Sequence, residues 1–195
     1  DGINDDVLCQ YNYYPEIIEL THDEAREYRD LSVQIARAYG ATRGDSPSTG
    51  YYEALTYRRA RLVGTAENKL PRLLALLKRR LSDDEGVSDT LIYVSDAKNE
   101  AEHEEDIQLD IGDRTIDEVV LKVSELDIKI RPYTSEEHPD ERKKILQAFN
   151  QDRLDALAAI KCLDQGVDIP KLVYGYVLAS SRNERQFVQR RGRLL

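Results

Sequence analysis

The chain has 195 residues, of which 41% are hydrophobic, so it can form one domain with an ordinary core and an extension. No apolar run approaches the roughly 20 residues of a membrane-spanning helix, and no signal-peptide pattern is present, so no membrane partner is expected. The chain has no methionine and begins at Asp1, which predicts a piece of a longer protein. Cys9 and Cys162 lack metal-ligand spacing, so we expect no metal site and a reducing cytoplasmic environment.

The net charge of −9 is unevenly distributed along the chain. Residues 83–127 carry 16 acidic and 3 basic residues, whereas residues 128–195 carry 9 acidic and 13 basic residues. Residues 51–82 are also basic, with 8 basic and 2 acidic residues. The overall acidity therefore does not exclude a partner with a phosphate backbone.

The N-terminal part predicts a strand followed by a helix. Residues 7–20 alternate and are rich in Tyr and Ile, which predicts an extended strand with Pro15 at an edge or bulge. Thr21 and Glu24 have the spacing of a capping box, which marks the start of a helix. Apolar residues at helical spacing extend that helix to about Tyr39.

Two more helices are predicted after a Gly- and Ser-rich loop at residues 40–50, over 51–63 and 67–81. The second helix carries an apolar stripe that should pack on a sheet, formed by Leu70, Leu73, Leu74, Leu77 and Leu81. Both helices also carry basic residues, namely Arg58, Arg59, Arg61, Lys78, Arg79 and Arg80. These basic residues form either a solvated face or a DNA-facing surface, and the sequence leaves both interpretations open.

Buried strands and helices alternate in the remainder of the chain. Apolar runs predict strands ending near Val94, Tyr133, Ile160 and Ala179, with helices over 116–126 and from Pro139 onward. An acidic insertion is expected at about residues 97–117. This alternation predicts an α/β fold with a parallel sheet. Ser95 follows the first of these strands, at the carboxyl end where such sheets place ligand contacts, and Thr134 ends the next.

The most specific patterns lie near the C-terminus. The sequence GVDIP, from Gly166 to Pro170, predicts a tight turn that holds Asp168 on a short loop between two strands. The sequence QRRGRLL, residues 189–195, ends a predicted arginine-rich helix. Arginine forks can bind a phosphate while a carboxylate holds a ribose hydroxyl, so this combination suits a nucleotide.

Together these two patterns resemble a known family. KCLDQGVDIP resembles motif V, and QRRGRLL resembles motif VI, of the second RecA-like domain of superfamily two helicases and translocases. The resemblance implies a RecA-like parallel sheet flanked by helices over residues 66–195. Residues 1–65 would be a strand and helical linker from the first motor domain. Lys161 and Asp164 match the K-x-x-D of restriction or phage-defence helicases, our first expectation, and of XPB-type repair helicases, our second.

The resemblance also implies roles for individual residues. Arg193 would be the arginine finger that acts in catalysis. The residues implied in ATP binding are Gly166, Asp168, Gln189 and Arg190, with Asp168 accepting from the ribose. The residues implied in nucleic-acid binding are Ser95, Thr134, Lys161 and Arg182.

No GxxxxGK[ST] loop and no DExx box occur in the 195 residues. We therefore expect ATP and Mg²⁺ to be bound mainly by the first RecA-like domain, and this chain alone to be inactive. The full-length protein would be an ATP-dependent DNA helicase or translocase. Its expected partners are DNA, that first domain and, in a larger assembly, nuclease or methyltransferase subunits. The alternative is a non-catalytic RecA-like module that binds nucleic acid or a partner protein.

Overall fold

The computed structural model describes residues 12–41, 50–94, 111–134, 136–160 and 172–178. Within these ranges the helices are α1 (His22–Ala41), α2 (Gly50–Gly64), α3 (Lys69–Ser82), α4 (Ile111–Ser124) and α5 (Pro139–Asn150). The strands are β1 (Thr90–Tyr93), β2 (Ile130–Tyr133), β3 (Ala156–Ala159) and β4 (Tyr174–Val177). From β1 to β3, strands and helices alternate as the sequence predicts.

The four strands form one sheet in the order β2-β3-β1-β4, and every neighbouring pair is parallel. Thr90 is in register with Ala156 on one side and with Tyr174 on the other. Ile130 is in register with the same Ala156. The predicted α/β fold with a parallel sheet is therefore confirmed.

Helices cover both faces of the sheet, and the strands supply apolar side chains to each. On one face, Ile92 and Ala158 pack with residues of α3 and α4 such as Leu77 and Val119. On the other face, strand residues including Leu91 and Leu157 pack against Ile145 and Phe149 of α5. Since successive strand residues point to opposite faces, strands with both faces covered must be apolar throughout. This explains why β1 and β3 are buried along their whole length.

The predicted leucine stripe of α3 is largely correct. Leu73 and Leu77 are buried, and Leu70 and Leu74 pack partly buried against the same core. Leu81 is 41% exposed, so the prediction is wrong at this position. It belongs to the last turn of α3 and lies beyond that core.

Helices α1 and α2 pack against each other around a small core of their own. Leu31 and Ile35 of α1 meet Leu55 of α2, with Tyr52 partly buried beside them. At their surface the guanidinium of Arg58 donates twice to one oxygen of Glu27, at 2.6 and 2.9 Å. The two helices therefore hold together through both apolar and charged contacts.

The predicted strand over 7–20 is wrong for residues 12–20, which have no regular secondary structure; residues 7–11 lie outside the described residues. Residues 12–20 contact α3 and the turn before it instead of joining the sheet. Glu16 pairs with Arg72 at 2.6 Å, and the main-chain carbonyl of Glu19 accepts from the Asn68 side chain at 2.8 Å. The alternating pattern correctly predicted an extended segment, but no strand within the described ranges pairs with it.

Helix α4 begins at Ile111, five residues before its predicted start at Ile116. The expected acidic insertion at about 97–117 therefore overlaps its first two turns, while residues 95–110 lie outside the described residues. The acidic composition of this region hid the start of the helix, because composition carries less information than helical spacing.

Four aspartates with positive φ lie in the turns that precede the strands. Asp84, Asp89, Asp127 and Asp152 all have φ between 57° and 59°, and Gly86 has φ of 71°. Two of these aspartates follow the ends of helices. The N–H of Asp127 donates to the carbonyl of Ser124 at 3.0 Å, and the N–H of Asp152 donates to the carbonyl of Phe149 at 3.1 Å. Asp tolerates this left-handed conformation better than most residues but less well than glycine.

Candidate functional site

Because the strands are parallel, their carboxyl ends lie along one edge of the sheet. The residues that follow β2, β3, β1 and β4 are Thr134, Ile160, Val94 and Leu178, in that spatial order. Main-chain hydrogen bonds continue past the strands, since Val94 N–H donates to Ala159 and Leu178 N–H donates to the carbonyl of Tyr93, both at 2.9 Å. This edge is where open α/β sheets bind their ligands.

The structure describes one of the predicted site residues, Thr134, and places it at this edge. The other predicted site residues lie outside the described residues: Ser95, Lys161, Gly166, Asp168, Arg182, Gln189, Arg190 and Arg193. In the sequence, Ser95 directly follows Val94, and Lys161 directly follows Ile160.

Thr134 is held in a tight turn by a carboxylate that the sequence reasoning missed. Its main-chain N–H and its hydroxyl both donate to Oε2 of Glu137, at 2.5 and 2.8 Å. The hydroxyl oxygen in turn accepts from the N–H of Glu136 at 3.1 Å. A hydroxyl has a single hydrogen, so Thr134 can donate to a phosphate only after it exchanges this bond to Glu137. The T-x-x-E spacing of residues 134–137, which is the same as that of residues 21–24, could have predicted this contact.

Helix α5 begins immediately after this turn, as Pro139 predicts. Pro139 stands in the first turn, where its missing N–H costs little. His138 caps the helix, its Nδ1 accepting from the N–H of Asp140 at 3.4 Å. The guanidinium of Arg131, on β2, lies 3.7 Å from the carboxylate of Glu141 in the first turn of α5. The turn at Thr134 is therefore fixed between two anchored elements.

The carboxyl end of β4 is held by Lys69, the first residue of α3. Its Nζ donates to the main-chain carbonyl of Leu178 at 2.7 Å and to that of Gly64, at the end of α2, at 2.9 Å. This contact could not be predicted from the sequence. Both acceptors are main-chain atoms, which no residue type identifies.

Glu24 links the start of α1 to the turn between α2 and α3. Its Oε2 accepts from the N–H of Thr21 at 2.8 Å, which confirms the predicted capping box, and its Oε1 accepts from the N–H of Glu67 at 2.9 Å. Burial by itself raises the pKa of Glu24. The hydrogen bonds from Glu67 and Thr21, aided by the Lys69 charge, outweigh it and hold the pKa below its usual value.

Arg80 packs against β4. Its guanidinium lies 3.4 Å from the centroid of the Tyr174 ring, and its Nε donates to the carbonyl of Gly86 at 3.1 Å. Burial raises the pKa of the Tyr176 hydroxyl, and the neighbouring Arg80 charge offsets part of that rise. Arg80 therefore serves the fold at the edge strand β4.

No group of three or more metal-ligating side chains occurs in the part of the chain that the structure describes. Among the described helices, none combines the length and apolar composition needed to cross a bilayer. The carboxyl edge of the parallel sheet is the place where α/β folds bind their ligands.

Comparison with known proteins agrees with this architecture. The family "Helicase conserved C-terminal domain" matches residues 69–195. The DNA 3'-5' translocase XPB2 of Sulfurisphaera tokodaii is 39% identical over 56 residues, which are 29% of this chain and 13% of that protein. The chain thus spans a small part of this relative.

Solved structures also match parts of this chain. The C-terminal part of the Fun30 ATPase domain superposes with a TM-score of 0.50 and 17% identity, over 68% of this chain and 37% of that one. The Hef helicase domain of Pyrococcus furiosus gives a TM-score of 0.47 and 17% identity, over 87% of this chain and 32% of that one. Since the family match covers more than half of the residues, the chain belongs to the helicase conserved C-terminal domain family, with the RecA-like fold of superfamily two.

Proposed function

We propose that this chain is the C-terminal half of the motor of an ATP-dependent DNA helicase or translocase, of the restriction and phage-defence type or the DNA-repair type. One observation carries the proposal: the family match over 69–195 includes both GVDIP and QRRGRLL. The similarity to a DNA translocase over 56 residues supports DNA as the substrate. The parallel sheet, with Thr134 at its carboxyl edge, supports a ligand site there.

In this proposal Arg193 is the arginine finger. Its guanidinium stabilises the negative charge that develops on the transferred phosphoryl group, an effect of about 1,000- to 100,000-fold in rate. Asp168 accepts a hydrogen bond from the ribose, and Gly166, Gln189 and Arg190 complete the nucleotide-facing surface. When bound, ATP would supply the phosphoryl group and Mg²⁺ would neutralise its charge. Most of the residues that bind them would come from the first RecA-like domain.

The nucleic-acid track in this proposal is formed by Ser95, Thr134, Lys161 and Arg182. Contacts from such residues to phosphates position the strand without reading its sequence. For Thr134, the exchange of its bond to Glu137 is part of binding. Closing and opening of the two motor domains would alternate the affinity for DNA. Partners would be DNA, the first RecA-like domain and nuclease or methyltransferase subunits, with action in the cytoplasm.

The test is the ATPase rate of the full-length protein, with and without duplex DNA, for the wild type and for Arg193→Ala. We expect DNA to stimulate the wild type and the substitution to lower that rate by at least about 100-fold. Arg191→Ala is the matched control. It removes the same side chain two positions away, at the variable position of QRxGR, and should keep most of the rate.

Two results would contradict the proposal. An Arg193→Ala protein as active as the wild type removes this arginine from the chemistry. A full-length protein with no ATPase, but with nucleic-acid or partner binding, favours the non-catalytic RecA-like module instead.

A further inference from the structure

Glu137 places a carboxylate at the carboxyl edge of the sheet, beside the residue proposed to bind a DNA phosphate. It is half-buried in the turn between β2 and α5. One of its oxygens, Oε2, accepts from both the N–H and the hydroxyl of Thr134, at 2.5 and 2.8 Å. These two groups are also the donors that Thr134 could offer to a phosphate oxygen. An anion of the protein itself therefore already binds the donors of Thr134.

The surroundings of Glu137 differ from those of Glu141, its acidic neighbour in α5. The carboxylate of Glu141 lies 3.7 Å from the guanidinium of Arg131 and 3.6 Å from the ammonium of Lys144. Within the part of the chain that the structure describes, no basic side chain forms an ion pair with Glu137. Among the same residues, its negative charge is stabilised by the hydrogen bonds from Thr134.

A phosphate that approaches Thr134 meets two obstacles. The hydroxyl has a single hydrogen, so its bond to Glu137 must break before it can donate to the phosphate. Two anions on one pair of donors would also repel each other, and the repulsion is stronger where water is partly excluded. Binding of DNA at Thr134 must therefore turn the Glu137 carboxylate away, which lowers the affinity.

We propose that Glu137 is an internal competitor of the DNA phosphate at Thr134. The inference rests on the motor function proposed above. A translocase must release each phosphate as well as bind it. When the strand leaves, the Glu137 carboxylate takes back the N–H and the hydroxyl of Thr134, so neither donor in this half-buried turn is left without an acceptor. Glu137 thus limits the affinity for DNA and aids its release.

The experiment measures the affinity of the full-length protein for a fluorescently labelled DNA duplex at fixed salt, with the wild type and Glu137→Gln. Because one oxygen of Glu137 receives both bonds, the amide oxygen of glutamine can receive them too, and the turn keeps its shape. Hydrogen bonds to this neutral acceptor are weaker than those to a carboxylate, and the repulsion of the phosphate is removed. We expect Kd to fall by about 3- to 10-fold.

Asp140→Asn is the matched control for the change in charge. It removes the same unit of negative charge from an exposed side chain in the first turn of α5. The Asp140 carboxylate lies 3.8 Å from Nδ1 of His138 and is not an acceptor for Thr134. Its loss should change Kd by less than about 2-fold, since exposed charges interact weakly.

Thr134→Val tests whether the gain in affinity passes through Thr134. Valine keeps the shape of threonine but has no hydroxyl, so only the main-chain N–H remains for Glu137 to release. In the Thr134→Val background, Glu137→Gln should therefore lower Kd by less than about 2-fold.

Three results would overturn the inference. A Kd that rises or stays unchanged in Glu137→Gln would make Glu137 a structural contact of the turn, because a distorted turn weakens binding. An equal fall in Asp140→Asn would assign the gain to net charge. An undiminished gain in the Thr134→Val background would place the action of Glu137 at another contact.

The failure of this inference is distinguishable from that of the proposed function. A wild-type protein with neither DNA binding nor DNA-stimulated ATPase contradicts the motor function, and the inference falls with it. If the wild type binds DNA and Glu137→Gln does not bind it more tightly, only the competition at Thr134 fails.

Discussion

Replacing Glu24 by Gln tests whether this one carboxylate holds α1 to the turn before α3. The two oxygens of Glu24 have different donors: Oε2 accepts from Thr21 and Oε1 accepts from Glu67. Glutamine offers one oxygen and one NH₂ group, so one of the two main-chain N–H groups must face another donor. The substitution keeps size and shape and removes one acceptor together with the charge.

The expected cost follows from the bond that is lost. A hydrogen bond to a charged group contributes about 1.5–3 kcal/mol, and the partial exposure of Glu24 places it near the lower end. We expect Glu24→Gln to lower the free energy of unfolding by about 1.5–2 kcal/mol. For a chain of this length that is a fall of about 3–8 °C in Tm.

Glu27→Gln is the control on the same helix. Both bonds from Arg58 go to a single oxygen, Oε1 of Glu27, so glutamine can still accept them. Because this ion pair is exposed, Glu27→Gln should change the free energy of unfolding by no more than about 0.5 kcal/mol. Thermal and urea unfolding at pH 7 measure both variants. Equal effects of the two substitutions, or no effect of Glu24→Gln, would refute the reasoning.

The lowered pKa of Glu24 adds a dependence on pH. Its folded pKa lies below the ordinary value of a glutamate, so its contribution is complete above that ordinary value. The contribution is lost as pH falls through the folded pKa. The difference in stability between the wild type and Glu24→Gln should therefore shrink as pH falls below the ordinary pKa of a glutamate, about 4.3. A difference that stays constant would contradict the assignment.

Two further predictions concern the folded core and the turns. Phe149→Ala removes a fully buried ring between α5 and the sheet and should lower the free energy of unfolding by about 3–5 kcal/mol. The control Gln147→Ala, at an exposed position of the same helix, should lower it by only about 0.5 kcal/mol. A similar cost for both would contradict the packing. Asp127→Gly relieves a positive φ of 59° and should stabilise by about 0.5–1 kcal/mol. Asp140→Gly, in the first turn of α5, should destabilise; urea midpoints measure all four variants.

The sequence predicted the sheet well for physical reasons. A strand covered on both faces must be apolar throughout, so runs such as Leu91 to Val94 stand out from the surrounding polar chain. Helix starts were equally clear where a residue type fixes them, as Pro139 and the pair Thr21 and Glu24 do. These signals are local, and the alternation of strands and helices then restricts the topology.

Features that depend on distant partners were not predicted. The alternation of residues 12–20 is that of a strand, but pairing requires a neighbouring edge, and this segment contacts Arg72 and Asn68 instead. The acceptors of Lys69 are main-chain carbonyls, one of them 109 residues away in the sequence. The family resemblance implied a role for Thr134, but it did not indicate that Glu137 accepts from both its N–H and its hydroxyl.

Charge counted along the sequence also differs from charge available at a surface. Residues 51–82 carry 8 basic and 2 acidic residues, but several of the arginines are paired within the fold. Arg58 binds Glu27, Arg79 lies 3.5 Å from Asp83, and Arg80 stacks on Tyr174.

A phosphate backbone would have to displace these partners before it gained the arginine charge, which favours the solvated face over a DNA-facing surface for this patch. Under the proposed motor function, binding of DNA should therefore depend more on Lys161 and Arg182 than on Arg58 and Arg79. Alanine substitutions at Lys161 and Arg182 should each reduce the salt dependence of DNA affinity by about one counterion, and those at Arg58 and Arg79 should leave it nearly unchanged.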